Sequence, residues 1–382
     1  MLFTSAPLGS LTLPNRLVRS ATAEMMADTD GRPGEALAAL YRDLARGGVG
    51  LIVTGHMYVA LEGKAHDGMT GICDDDLVPD LRQLTSAVHQ AGGRIAVQIN
   101  HAGRQTRCAD VEQPLGPSDE EPTTPGRGAR AMTPDEIEQT VEAYARAAGR
   151  AVAAGFDAVQ IHAAHGYLIS QFLSPIANRR NDAWGGSLGN RLRFFERVAH
   201  ACRDAIGSTV PLFAKLGMRD ESDEGLTLED GVEIVSRLAG FGLDAVELSG
   251  GLASSATFNI GSAVSPGHGE GYFRPFAVEA RRATDLPILL VGGLRSRAVM
   301  DEVLDCGDAQ FLSMCRPLIC EPDLPNRLAA GQPASSCVSK NRCWPKHRGD
   351  GIACKCKGVV RPDVGNQPPQ DAAETPAEKT ES

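Results

Sequence analysis

Two histidines three residues apart, followed by a tyrosine, close the apolar run in DAVQIHAAHGY: His162, His165 and Tyr167. Imidazoles at this spacing suit metal ligation, acid–base exchange, or paired hydrogen-bond donation to an oxygen that gains charge. A metal would need more ligands. His101 and Glu247 are of the right type, but no further His, Cys or Asp of ligand spacing converges on them.

Other strand-like runs end in chemistry of their own. Lys215 sits inside PLFAKLG, where an ammonium is costly unless it has a partner. Gln98 in RIAVQIN can both donate and accept, which matches the C=O/N–H edge of a flat heterocycle, and a Lys beside a ring that gains negative charge stabilises the reduced anion. Those are the needs of a flavin. Gly292, Gly293, Cys315 and Arg316 close two later runs and offer bare backbone N–H groups and a guanidinium, a setting for a phosphate.

The elements that must position these groups are legible as eight apolar runs: 15–20, 50–55, 94–100, 157–162, 211–217, 244–250, 287–293 and 309–314. Between them lie stretches of helical period, several opened by an N-cap and an acidic first turn, as at Thr133 and Thr227. Strands that are apolar on both faces, alternating with helices, predict a parallel sheet, and eight of them predict a (β/α)8 TIM barrel. No Gly-rich turn follows the first run, as an open dinucleotide-binding sheet would require. In a barrel the chemistry lies at the C-terminal strand ends, where every group named above falls.

The formal charge of -10 over 382 residues supplies no basic footprint and argues against a nucleic-acid partner. The start, MLFTSAPLGSLTLPNR, lacks a basic stretch followed by an apolar core, and no run approaches a membrane span. A cytoplasmic protein with no membrane partner is expected. Six of the ten cysteines, Cys320 among them, are scattered and read as reduced thiols, whereas Cys337, Cys343, Cys354 and Cys356 cluster within twenty residues. The division expected is a barrel over 1–330, a Cys-containing extension over 331–360, and a Pro-, Glu- and Thr-rich disordered tail over 361–382.

The segments PNRLVRSAT, VQINHAGRQ, DAVQIHAAHGYLISQFLSPIANRRNDAWGGS with NRLRFFERV, and LLVGGL with MCRPLI resemble the Old Yellow Enzyme family of FMN-dependent ene-reductases, over about residues 2–330. The resemblance implies an FMN barrel that takes hydride from NADH or NADPH and passes it to the β-carbon of an enone or enal. It also implies that Ser20, Ala21, Thr22 and Gly55 cradle the isoalloxazine, that Gln98 meets its pyrimidine edge and Lys215 stands near N1. Gly293, Cys315 and Arg316 would hold the phosphate, with Gly292 beside them. His162 and His165 then become donors to a carbonyl oxygen on which charge develops, and Tyr167 matches the family's proton donor.

Two departures stand out. Ala23 occupies a position where the family commonly places a Thr or Cys that touches the flavin, and Lys215 one often filled by Arg. Larger relatives bind an iron–sulfur cluster with closely spaced cysteines near the C-terminal segment; here the spacing C-x5-C-x10-C-x-C reads as a degenerate remnant with free thiols rather than a cluster or zinc site. With little chain beyond residue 360, electrons are expected from diffusible NAD(P)H over the same flavin face, with ping-pong kinetics.

Pocket loops follow strands 2, 3 and 6, with Tyr58, His101, Phe258 and Tyr272 as candidates to line the substrate. The alternatives are an N-demethylase-like flavoenzyme on the same barrel, a flavin-holding sensor, and an aldolase using Lys215 as a Schiff base. A homo-oligomer is compatible with the sequence.

Overall fold

The computed structural model describes residues 1–120, 128–262, 264–345 and 350–356. Eight parallel strands close into a barrel in chain order: β1 (Leu17–Arg19), β2 (Leu51–Tyr58), β3 (Ile95–Asn100), β4 (Ala158–Ala163), β5 (Leu212–Gly217), β6 (Ala245–Ser249), β7 (Ile288–Leu290) and β8 (Phe311–Met314), with β8 pairing back to β1. Each lies within or overlaps one of the eight apolar runs, as the TIM-barrel expectation requires. The expected disordered tail lies outside the described residues.

The helices between strands start where their caps dictate. Thr133 accepts from the Glu136 N–H at 3.2 Å while Glu136 accepts from the Thr133 N–H at 2.8 Å, a reciprocal cap that opens the helix Pro134–Ala153. Thr227 caps Leu228–Arg237 in the same way on one side, accepting from Asp230 N at 3.1 Å. Buried faces of these helices pack on the outside of the barrel in one continuous apolar shell.

A second, smaller core fills the barrel itself, and it is what positions the site. Val18, Leu51, Val53, Ala96, Ala158, Phe213, Ala245, Leu289 and Phe311 point inward from all eight strands. A hairpin unforeseen in the sequence, Ala6–Leu8 paired with Leu11–Leu13, plugs the N-terminal mouth with Ala6, Leu8 and Leu13. Because side chains alternate along a strand, the next inward residues toward the C-terminal end are Gln98 after Ala96, Gln160 and His162 after Ala158, Lys215 after Phe213, and Glu247 and Ser249 after Ala245. The interior thus changes from apolar to polar in a single step of two residues.

Candidate active site

At that polar end a cavity of about 530 Å³ opens, within the range of small-molecule sites. Its floor is a hydrogen-bonded chain across four strands. Gln98 Nε2 donates to Gln160 Oε1 at 2.7 Å, and Gln160 Nε2 donates to Glu247 Oε2 at 2.8 Å. Glu247 Oε2 lies 3.4 Å from Lys215 Nζ, which donates to Ser20 Oγ at 2.7 Å. Lys215 and Glu247 are both buried. The cost of an ammonium in an apolar strand is therefore met by a carboxylate one strand away. Gln98 spends its amide N–H on Gln160, so its oxygen is left to accept from whatever lies in the cavity.

Beside this floor the end of β1 runs along the cavity as Ser20, Ala21, Thr22 and Ala23. Thr22 Oγ1 reaches Cys315 Sγ at 2.9 Å, which ties this wall to the end of β8. Gly55 is not part of the lining. A Cβ there would lie 1.9 Å from Glu24 Oε2, and the Gly55 N–H donates to Glu24 Oε1 at 3.0 Å. Glu24 in turn pairs with the buried Arg19 at 2.6 Å, so Gly55 braces the wall from behind rather than touching a ligand.

The far end is cationic. Gly293, at φ 77°, lines the cavity with Cys315 and Arg316, whereas Gly292 lies outside the lining and accepts from Tyr272 N at 3.1 Å. Arg295, which the sequence reading passed over, joins them; it is buried, its Nε has no partner, and its Nη2 donates to Ser339 Oγ. Arg316 Nη1 donates to Gly261 O at 2.7 Å and to Asn341 Oδ1. Neither guanidinium pairs with a carboxylate among the described residues, which leaves two positive charges for an anionic group. Ser339 and Trp344 also line the cavity, so the C-terminal extension forms part of its wall.

The opposite wall holds the imidazoles. A tight turn sets their angle: Tyr167 N donates to Ala164 O at 3.2 Å, and both central residues, His165 at φ 59° and Gly166 at φ 72°, are left-handed. A non-glycine residue rarely adopts that conformation, and here it swings the His165 ring until it stands 5.2 Å from His162 and its Nε2 meets Ser249 Oγ at 2.7 Å. Tyr167 lies 4.9 Å from the His162 ring. Burial, reinforced by Lys215, pulls His165 down to about 3 and His162 well below its ordinary value, so both rings are neutral. Burial pushes Tyr167 up to about 12, which keeps its proton in place.

Of the expected substrate-lining residues only Tyr272 lies on the cavity. Tyr58 is buried with its hydroxyl on Asp30 O at 3.2 Å, His101 accepts from Gly103 N at 3.0 Å, and Phe258 packs under Arg219. Residues on the lining that sequence reasoning did not assign include His56, Gln105, Arg107 and Arg295. Gln160 and Glu247 were legible in principle, since DAVQ and DAVE carry a polar residue at the same place in two apolar runs.

The cysteines divide differently from the sequence reading. Cys320, taken as one of the scattered thiols, packs with Cys337, Cys354 and Cys356, and burial with its thiol neighbours pushes it up to about 12. Among the described residues no three His, Cys, Asp or Glu side chains are arranged to hold a metal ion.

Fold and site define a class: a parallel barrel whose C-terminal mouth is built for a flat, anionic, phosphate-bearing redox cofactor. Comparison with known proteins gives the family. Residues 1–335 match the NADH:flavin oxidoreductase / NADH oxidase family, and the chain belongs to it. An NADPH dehydrogenase of Geobacillus sp. (strain WCH70) is 35% identical over 349 residues, covering 90% of this chain and 98% of the relative. An NADH oxidase of Thermoanaerobacter brockii is 33% identical over 346 residues, covering 89% of this chain and 52% of the relative. The chain therefore spans about half the length of that oxidase. The structure of morphinone reductase in complex with tetrahydroNAD superposes with a TM-score of 0.75 at 28% identity, covering 96% of this chain and 99% of the other. The family's cofactor is FMN, with NADH or NADPH as reductant. The residues present fit FMN: Gln98 has a free acceptor oxygen, Lys215 a placed charge, and Arg295 an orphaned buried N–H at the cationic end. Membership of this flavin oxidoreductase family sets the aldolase alternative aside, and Lys215 is engaged by Glu247 and Ser20.

Proposed function

We propose that the protein is an NAD(P)H-dependent reductase of the C=C bond of α,β-unsaturated carbonyl compounds. The observation that carries this reading is the pairing of two neutral imidazoles, 5.2 Å apart, with a protonated tyrosine beside them, on a cavity shared with Gln98 and Lys215, whose strands flank that of His162. Bound FMN supplies the hydride. Gln98 would take its pyrimidine edge, Lys215 the anionic side of its ring, and Gly293, Arg295 and Arg316 its phosphate. His162 and His165 hold the substrate carbonyl oxygen and stabilise the enolate that develops when hydride reaches the β-carbon, because neutral N–H donors gain most when the oxygen becomes an anion. Tyr167 then delivers its hydroxyl proton to the α-carbon.

The test is anaerobic. NADH or NADPH should bleach the oxidised flavin of the purified protein, and cyclohexenone should restore the colour. A His162→Ala variant that turns over the enone as fast as the wild type would refute the carbonyl-donor role.

A further inference from the structure

We propose that His56 is a third hydrogen-bond donor of the substrate cavity, and that it favours alkenes bearing a second acceptor oxygen across the double bond from the one held by His162 and His165. This rests on the ene-reductase reading above.

The feature that brings His56 into the cavity is an irregularity in β2. Leu51 and Val53 point inward, and strict alternation would put Gly55 next. The register instead passes from Val53 opposite Ala96 to His56 opposite Gln98, with one extra residue in between, and Thr54 Oγ1 accepts the Gln98 N–H at 3.2 Å in the gap. A bulge of this kind re-aims a side chain, and here it exchanges glycine for imidazole at the inward position.

The ring is then fixed chemically. Asn100 Nδ2 donates to His56 Nδ1 at 2.9 Å, so the proton of the neutral ring resides on Nε2. That nitrogen makes no hydrogen bond within the described residues, and it is not sealed off by them; it faces the cavity that the ring lines. Burial holds the imidazole neutral, so it suits an uncharged carbonyl rather than a carboxylate.

Its position sets the substrate class. The His56 ring lies 5.0 Å from Tyr167 and 6.1 Å from His162, with His66 behind it at 5.6 Å. Tyr167 touches both His56 and His162, whereas His165 packs against His162 alone of these rings, so an oxygen between His162 and His165 lies farther from His56, which serves a different oxygen. Ene-1,4-diones and quinones have one in that place. The double bond of the dione gains one hydride and one proton, and both carbonyls are retained.

Two matched pairs of compounds separate this role from a structural one. The oxidised FMN holoenzyme is titrated with phenol and with 4-hydroxybenzaldehyde, which adds a carbonyl para to the hydroxyl, and the flavin absorbance change gives each Kd. Turnover is compared for cyclohex-2-enone and cyclohex-2-ene-1,4-dione. In His56→Ala the preference for 4-hydroxybenzaldehyde over phenol should fall about 5-fold or more, as should the dione-to-enone ratio of kcat/KM, mainly through KM; His56→Gln, which keeps a donor, should recover part of both. Unchanged ratios in His56→Ala, or equal losses for both members of each pair, would overturn the proposal. If the wild type reduces neither alkene while His56→Ala still lowers the ligand preference, the ene-reductase reading fails and the donor role of His56 stands.

Discussion

Lys215 Nζ stands 3.4 Å from Glu247 Oε2 on the adjacent strand, and both side chains are buried. Removing one partner of a buried ion pair leaves an uncompensated charge, which costs about 3–5 kcal/mol. Glu247→Gln keeps the shape and the bond to Gln160 but strips Lys215 of its counter-charge. The variant should lose about 3 kcal/mol of stability in a denaturant titration of the apoprotein. An unchanged midpoint would mean that Lys215 finds its compensation elsewhere.

Arg295 and Arg316 should act on the cofactor's phosphate and on nothing else of it. A charge-assisted hydrogen bond contributes about 1.5–3 kcal/mol, so Arg295→Met or Arg316→Met should weaken FMN binding about 10-fold or more. Riboflavin, which lacks the phosphate, should bind the variants and the wild type alike. Fluorescence quenching on titrating the apoprotein reads both, and a parallel loss for riboflavin would place the arginines elsewhere.

Tyr167→Phe removes the proton source but leaves the reductive half of the cycle untouched. Flavin bleaching by NAD(P)H should proceed at the wild-type rate, while reoxidation by cyclohexenone should slow about 100-fold, the usual contribution of a positioned acid. Stopped-flow absorbance separates the two halves. Equal rates in reoxidation would show that the α-carbon takes its proton from solvent.

Buried imidazoles make the fold sensitive to acid. Burial lowers His66 and His101 to about 4 and His165 to about 3, and puts His56 and His162 well below 6.5. The unfolded chain takes up these protons near pH 6.5 and the folded chain only at much lower pH. Their stabilisation is therefore complete above that value and is lost as the pH falls toward the folded-state values, by about 3 kcal/mol for His101 alone. The melting temperature should drop steeply between about pH 6.5 and about pH 4. A flat profile there would contradict the neutral assignment on which the carbonyl-donor role depends.

Gly55→Ala tests the wall behind β1. The new methyl would fall 1.9 Å from Glu24 Oε2 and 2.6 Å from Thr22 O, so the carboxylate that binds Arg19 and the Gly55 N–H must move. The expected cost is about 1–3 kcal/mol, with weaker FMN binding through the displaced Thr22. Thermal melts with and without FMN measure both effects.

Most of this architecture was legible in the chain. Eight apolar runs between capped helical stretches imply the barrel, and the rule that chemistry sits at strand C-termini singles out Gln98, His162, Lys215 and Arg316, all of which lie on the cavity. What failed was placement off the strands. Tyr58 and His101 have the right side chains, but strand-end geometry buries them in the protein, and Phe258 packs under Arg219 off the cavity, while Arg295 and Trp344 are turned onto it. Nothing local marks Cys320 as the neighbour of Cys337 and Cys354, since their contact closes over chain separations of seventeen residues or more.

The succession of apolar runs and helical stretches is a property of the chain, so the sequence by itself determined the eight strands and, from the polar groups near their C-terminal ends, the flavin-like chemistry of Gln98 and Lys215. Two decisions needed the tertiary structure. The bulge in β2 arises between strands, where Thr54 and Gly55 together oppose a single neighbour, and it alone puts His56 on the cavity. The partner of Lys215 was chosen by barrel closure, because only the register of β5 against β6 sets Glu247 opposite it.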